Sequence, residues 1–113
     1  MKAIIVENIW MPQSIMKHGW GNGYVIIPKG HKLHGKHYDE LNKRKAISVN
    51  GGLTFSELAD KNAIKQFGLS NEDKGSWIVG FDTCHGWDNL DNWPKEKVQQ
   101  EADKLLSQLK SLK

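Results

Sequence analysis

Cysteine is nearly missing from this chain of 113 residues: Cys84 stands alone, so no disulfide can close within it. A reducing compartment is the simplest setting. Long apolar runs are missing as well, and none approaches the roughly 18–20 residues that span a bilayer. Met1-Lys2 is followed by only four apolar residues, Ala3 to Val6, before Glu7. We therefore expect neither a secretory leader nor a membrane partner, and a cytoplasmic location. Repeats, low-complexity stretches and a clear linker are also lacking, and the length suits one domain, residues 1–113. Phosphate-loop spacing of the type G-x-x-x-x-G-K-[ST] does not occur. Apolar residues make up only 38%, so five Trp, three Phe and two Tyr must supply much of the core.

Charge is present but uneven. The net charge is +3, yet Lys29 to Lys45 holds six cations against two anions, a local +4 that leaves the rest at −1. Such a segment can collect a phosphate-bearing partner, or simply be a solvated face. Set against 13 acidic residues, +3 is thin for a polyanion, so specific nucleic-acid binding is not expected.

The apolar pattern predicts an α+β fold: a small, mostly antiparallel sheet of four to five strands, a short helix, and a long C-terminal amphipathic helix packed on the sheet. Strands are expected at Lys2 to Val6, Tyr24 to Ile27, Ala46 to Val49 and Trp77 to Phe81, the last being the best central strand. His37 to Lys45 suits a short helical turn. Thr54-Phe55-Ser56-Glu57 fits a capping box for a helix that ends at Gly68, although Leu53 to Phe55 also reads as a strand with the helix beginning after Ser56. Val98, Ala102, Leu105, Leu109 and Leu112 step by four, three, four and three, with Pro94 in the first turn.

Three clusters carry candidate chemistry. His31, His34 and His37 are spaced for metal, but interleaved Lys29, Lys32 and Lys36 oppose a cation, and with Gly30 and Gly35 the loop suits an anion better. Asn50-Gly51-Gly52-Leu53-Thr54 lets backbone approach a ligand and puts a hydroxyl at an expected helix N-terminus; it also reads as a plain turn. Asp82-Thr83-Cys84-His85-Gly86-Trp87-Asp88 flanks an imidazole with carboxylates at i−3 and i+3. That spacing suits a general base or half a metal site, or two turn-capping aspartates. Cys84 beside His85 is a poor nucleophile pair, since adjacent side chains point apart. Trp20 and Trp87, in polar loops, can stack on a flat ring or act as lids on a small core.

Taken together, Gly23-Tyr24-Val25 with Ile27-Pro28 and His31, Tyr38-Asp39, Asn50 to Phe55, Trp77 to Asp82 with His85 and Asp88, and a closing helix with Glu101 and Leu109 resemble a family of small bacteriophage and prophage proteins. The resemblance runs roughly from residue 20 to 110 and is most specific at Gly-Phe-Asp-x-x-His-x-x-Asp. In that family His often stands where this chain has Asn50, a departure that weakens any mechanism needing two opposed imidazoles. The resemblance brings no activity with it; by analogy of class alone, phage accessory proteins of this size include inhibitors of host defence, some of which sequester or cleave nucleotide immune signals.

The expected function is capture of a phosphate-bearing, nucleotide-like molecule. Its contacts would be drawn from Trp20, Tyr24, Lys29, His31, Lys36, Tyr38, Asn50, Gly51, Gly52, Thr54 and Trp87, and a homo-oligomer is among the expected forms. The alternative is a phosphodiesterase-like hydrolase with His85 as base, Asp82 as its orienter and His31 as the opposite acid. No cofactor is required, although a divalent metal on Asp82, His85 and Asp88 is a variant. A third reading is an inhibitor that binds a host protein.

Overall fold

Four short apolar runs pair into one antiparallel sheet in the computed structural model, which describes residues 1–112. The strands are β1 (Lys2–Glu7), β2 (Gly21–Ile27), β3 (Phe55–Leu58) and β4 (Trp77–Phe81), in the spatial order β1-β2-β4-β3. Three α-helices join them: α1 (Tyr38–Asn42), α2 (Lys61–Phe67) and α3 (Lys95–Ser111). The fold is α+β, as expected, with β4 inside the sheet.

Side chains alternate across the strands and fill two cores. Val25, Ile27, Val79 and Phe81 point to one face, where they meet Val98, Ala102, Leu105 and Leu109 of α3 and the buried Leu33, Leu41, Ile47 and Leu53. Tyr24, Ile26 and Ile78 point to the other, against Ala59 and Ala63, with Phe55, Phe67 and Leu69 packed beside them. Two glycines make this sandwich fit. Gly23 lies opposite Phe81 and Gly80 opposite Tyr24. A Cβ on either would come within 2.4 Å of that aromatic ring, so each ring lies across its partner's backbone.

Two expected elements are replaced. Ala46 to Val49 is not a strand; Ile47 is buried, but Ser48 N–H donates to Gln108 Oε1 and its carbonyl accepts from Gln108 Nε2, so α3 side chains take the place of a ladder. Thr54 to Glu57 does not open a helix; the alternative, a strand before a later helix, is nearer, with the strand at Phe55–Leu58 instead of Leu53 to Phe55. Thr54 N–H donates to the Gly80 carbonyl and leads into β3, which covers the open edge of β4. The helix starts later, where Asp60 Oδ1 accepts from Ala63 N–H at 2.8 Å, and stops as expected at Gly68 with φ +65°. Pro94 sits one residue earlier than expected, at the N-cap of α3. Among the described residues no helix is long and apolar enough to cross a membrane.

Candidate functional site

The end of β4 delivers Asp82 to Asp88 into a loop that is pinned on both sides. Thr83 is fully buried; its hydroxyl donates to the Gly21 carbonyl at 2.6 Å, and its own carbonyl accepts from Gly19 N–H at 2.7 Å. These bonds fix where His85 emerges.

His85 is held between two carboxylates. Its Nδ1 lies 2.6 Å from Asp88 Oδ2 and its Nε2 lies 3.2 Å from Asp82 Oδ1. The two acids differ in setting, for the Asp88 side chain is wholly buried while that of Asp82 is 36% exposed. Burying a carboxylate demands donors, and Asp88 has them. His85 N–H donates at 2.9 Å, and the Asn50 amide reaches both oxygens at 3.0 and 3.2 Å. With Asp88 acting only as acceptor, Nδ1 must carry the hydrogen it shares, and Nε2 is the nitrogen turned toward Asp82.

Asn50 is the hub of this cluster. Its carbonyl oxygen accepts from Trp87 Nε1 at 3.1 Å, and its N–H donates to Glu101 Oε2 at 2.9 Å, which ties the 50–52 turn to α3. Glu101 in turn pairs with Lys104 at 2.7 Å. The Trp87 indole lies flat against the His85 imidazole, with centroids 4.7 Å apart and planes 4° from parallel, yet Trp87 remains 61% exposed. Gly51 closes the other side. Its φ is +71°, and a Cβ there would sit 2.2 Å from His85 Nε2, so only glycine fits without displacing the ring. Thr54 Oγ1 stands 3.4 Å from Asp82 Oδ2.

Asp82, His85, Trp87, Asp88, Asn50, Gly51 and Thr54 are thus brought together. The tighter contact on His85 comes from buried Asp88 rather than Asp82, whereas Asp82 engages the other ring nitrogen. Thr54 contributes as a hydroxyl beside a strand, not as a helix N-terminus. Cys84 points elsewhere, accepting from Asn8 Nδ2 at 3.6 Å; burial, then Asp82 and Asp88, pushes its thiol pKa up, so it supplies no thiolate.

The lysine and histidine loop lies apart, and the remaining candidates are engaged elsewhere. Lys29, His31 and Lys36 belong to the loop beyond Ile27, which pairs with Trp77 at the start of β4, whereas His85 follows its end. At about 3.3 Å per residue the two groups are separated by roughly 15 Å, so His31 cannot serve as an acid opposite His85. The three loop histidines serve the local chain. His31 Nδ1 accepts from Leu33 N–H, His34 Nε2 meets the Gly75 carbonyl at 2.7 Å, and His37 Nδ1 caps α1 through Asp39 N–H. Lys36 is paired with Glu40 at 3.4 Å. Tyr24 is core, wedged against Phe55 and Phe67, and burial raises its hydroxyl pKa. Trp20 packs on the α3 core with Lys95 Nζ 5.5 Å from its ring centre, and Tyr38 packs on the same core. Gly52, at φ +79°, lies beside the Asn42 side chain.

A metal set is not assembled either. Asp82 and Asp88 approach opposite nitrogens of one ring instead of a common point, and among the described residues no three His, Cys, Asp or Glu side chains converge to hold an ion. The fastening of the site by Glu101 and the fit of Gly51 were missed from sequence, since both depend on contacts between distant segments. A scan against protein-family models finds no match to this chain, and searches of curated proteins and of solved structures find none either.

Proposed function

We propose that this chain binds a nucleotide-like small molecule, with the base stacked on Trp87. The observation that carries the reading is the indole itself: one face lies on His85, Asn50 holds its N–H, and most of its surface is open. A tryptophan fixed in this way offers a preorganised flat platform, and stacking a base on such a ring is worth about 1–3 kcal/mol. Beside it, the partly exposed Asp82 can accept hydrogens from an exocyclic amino group, and Thr54 adds a hydroxyl. No lysine of the 29–36 loop reaches this end, and Asp82, Asp88 and Glu101 make it acidic. Recognition here therefore rests on the base rather than on the phosphate. The resemblance to phage proteins adds the proposal that the ligand is a host immune signal.

One observation favours a second reading, hydrolysis of such a signal. Buried Asp88 holds His85 Nδ1 as an orienter holds a general base, although a substrate would have to displace Asp82 from Nε2 before that nitrogen could take a proton. Mass spectrometry separates the two readings. Cyclic dinucleotides and ADP-ribose-type signals are each incubated with protein, filtered, and recovered after heat denaturation. A compound retained and returned intact means sequestration. One returned as fragments means hydrolysis, and His85→Ala must then abolish turnover while binding survives. If every compound passes through unchanged, the ligand reading fails for those signals and a host-protein partner takes its place.

A further inference from the structure

On the face of the sheet away from α3, α2 and the turn that follows it enclose an open groove of about 610 Å3. Its walls carry Lys61, Lys65, Asn71 and Lys74, and its floor is Ile64 and Leu69. No carboxylate lines it. The lysine ion pairs among the described residues are Lys2–Asp73, Lys36–Glu40 and Lys104–Glu101, so none of the three groove lysines has an acidic partner.

Helix stability does not explain this placement. Lys61 occupies the first turn of α2, the end at which a cation opposes the backbone dipole. Lys61 and Lys65 are four apart on one helix face, where like charges repel. Lys74 comes from a different segment and adds a third positive charge to the same space. Only Lys65, in the last turn, suits the helix it belongs to. An anion in the groove would relieve all three repulsions at once. The floor sets a further condition, because Ile64 and Leu69 offer apolar surface that a bare inorganic ion would leave uncovered. The volume is that of a small-molecule pocket, about 300–1,000 Å3. A long polyanion would also have to run past Asp60 and Glu72, which line the adjoining groove together with Lys74.

We propose that this groove is a second ligand site, separate from Trp87, for a small amphiphilic anion. A phosphate or carboxylate group would be clamped between Lys61 and Lys65 on α2 and Lys74 opposite, with an apolar body laid on Ile64 and Leu69. The same chemistry is offered by a soluble metabolite and by an anionic lipid.

The test is an amide-resolved NMR titration of the full chain with octyl phosphate, with neutral octyl glucoside as the control. The expected result is saturable shifts at Lys61, Ile64, Leu69 and Lys74, with affinity at least about tenfold weaker for the neutral detergent. The Lys61→Glu/Lys65→Glu variant should lose these shifts while its remaining spectrum stays native, since both side chains are exposed. Lys74→Glu, on a separate segment, should weaken binding independently if the double variant does not fold. Sedimentation with phosphatidylcholine vesicles, with and without phosphatidylglycerol, assigns the source: lysine-dependent binding to the anionic vesicles points to a lipid, and its absence to a soluble anion. The proposal is overturned if the groove amides do not move, if octyl glucoside binds as well as octyl phosphate, or if the lysine variants bind unchanged.

Discussion

Around His85 each polar side chain is answered by another: Asp88 by His85 and Asn50, Asn50 by Trp87 and Glu101, Glu101 by Lys104. Around the α2 groove three lysines line a space that no acid lines. The first region is acidic and satisfied within the fold, so its side chains hold the structure together. The second is basic and without ion pairs among the described residues, so its side chains contribute little to folding. Substitutions in the first should therefore cost stability, and substitutions in the second should cost only binding.

The largest contrast is expected at Asp88. Removing its carboxylate in Asp88→Ala strips the acceptor from the His85 ring and the Asn50 amide, and breaking a buried pair in this way costs about 3–5 kcal/mol. Urea denaturation checks this, with Lys61→Glu/Lys65→Glu as the comparison, expected within about 0.5 kcal/mol of the parent. Equal losses in the two variants would erase the distinction between the regions.

Gly51→Ala comes next. A Cβ 2.2 Å from His85 Nε2, on a backbone at φ +71°, must push the ring or reshape the turn. We expect a loss of about 1–3 kcal/mol, as for other overpacked sites, together with a changed Trp87 indole signal in NMR. Trp87→Ala should behave differently within the same region. Losing the stack on His85 and one hydrogen bond to Asn50 should lower stability by only about 1 kcal/mol, while affinity for a base-bearing ligand falls about tenfold or more, as loss of one stacking contact requires. Calorimetric titration beside a melting curve measures both effects.

The smallest effect belongs to a pair outside both regions. Lys2 Nζ binds Asp73 Oδ2 at 2.8 Å, and that hydrogen bond lowers the Asp73 carboxyl from its ordinary value near 3.8. A lowered carboxyl stabilises the fold above its unfolded value, and the contribution fades as pH falls from there through the lowered folded value. Lys2→Ala should remove under about 1 kcal/mol at neutral pH. It should also flatten the loss of stability below pH about 4.

These contrasts were only partly legible in the sequence. Trp77 to Phe81 stood out as an unbroken apolar run, buried along its length, and the α3 stripe because its 3.6 period matches the face it buries. Ala46 to Val49 has the alternation of a strand, yet Gln108 and Glu101 take up backbone groups at Ser48 and Asn50, a role that no local pattern can announce. The capping-box spacing at Thr54 lost to the open edge of β4, and the working cap, Asp60, lies further on. At the site, Asp82-x-x-His85-x-x-Asp88 was visible as a cluster, but its symmetric spacing could not say which aspartate would be buried. The Lys29–Lys36 loop is expected in one pocket with that cluster, but the length of β4 keeps them apart. The lysine groove went unseen because α2 and Lys74 are separate in sequence and meet only around the second core.

The most direct test of the central claim is an indole-resolved NMR titration of the five tryptophans with the base-bearing nucleoside adenosine. We expect the Trp87 Nε1 resonance to shift saturably, the other four to stay in place, and the Lys61, Lys65 and Lys74 amides to remain still. If Trp87 does not move, or if the lysine groove responds in its stead, the base-stacking site at His85 is contradicted.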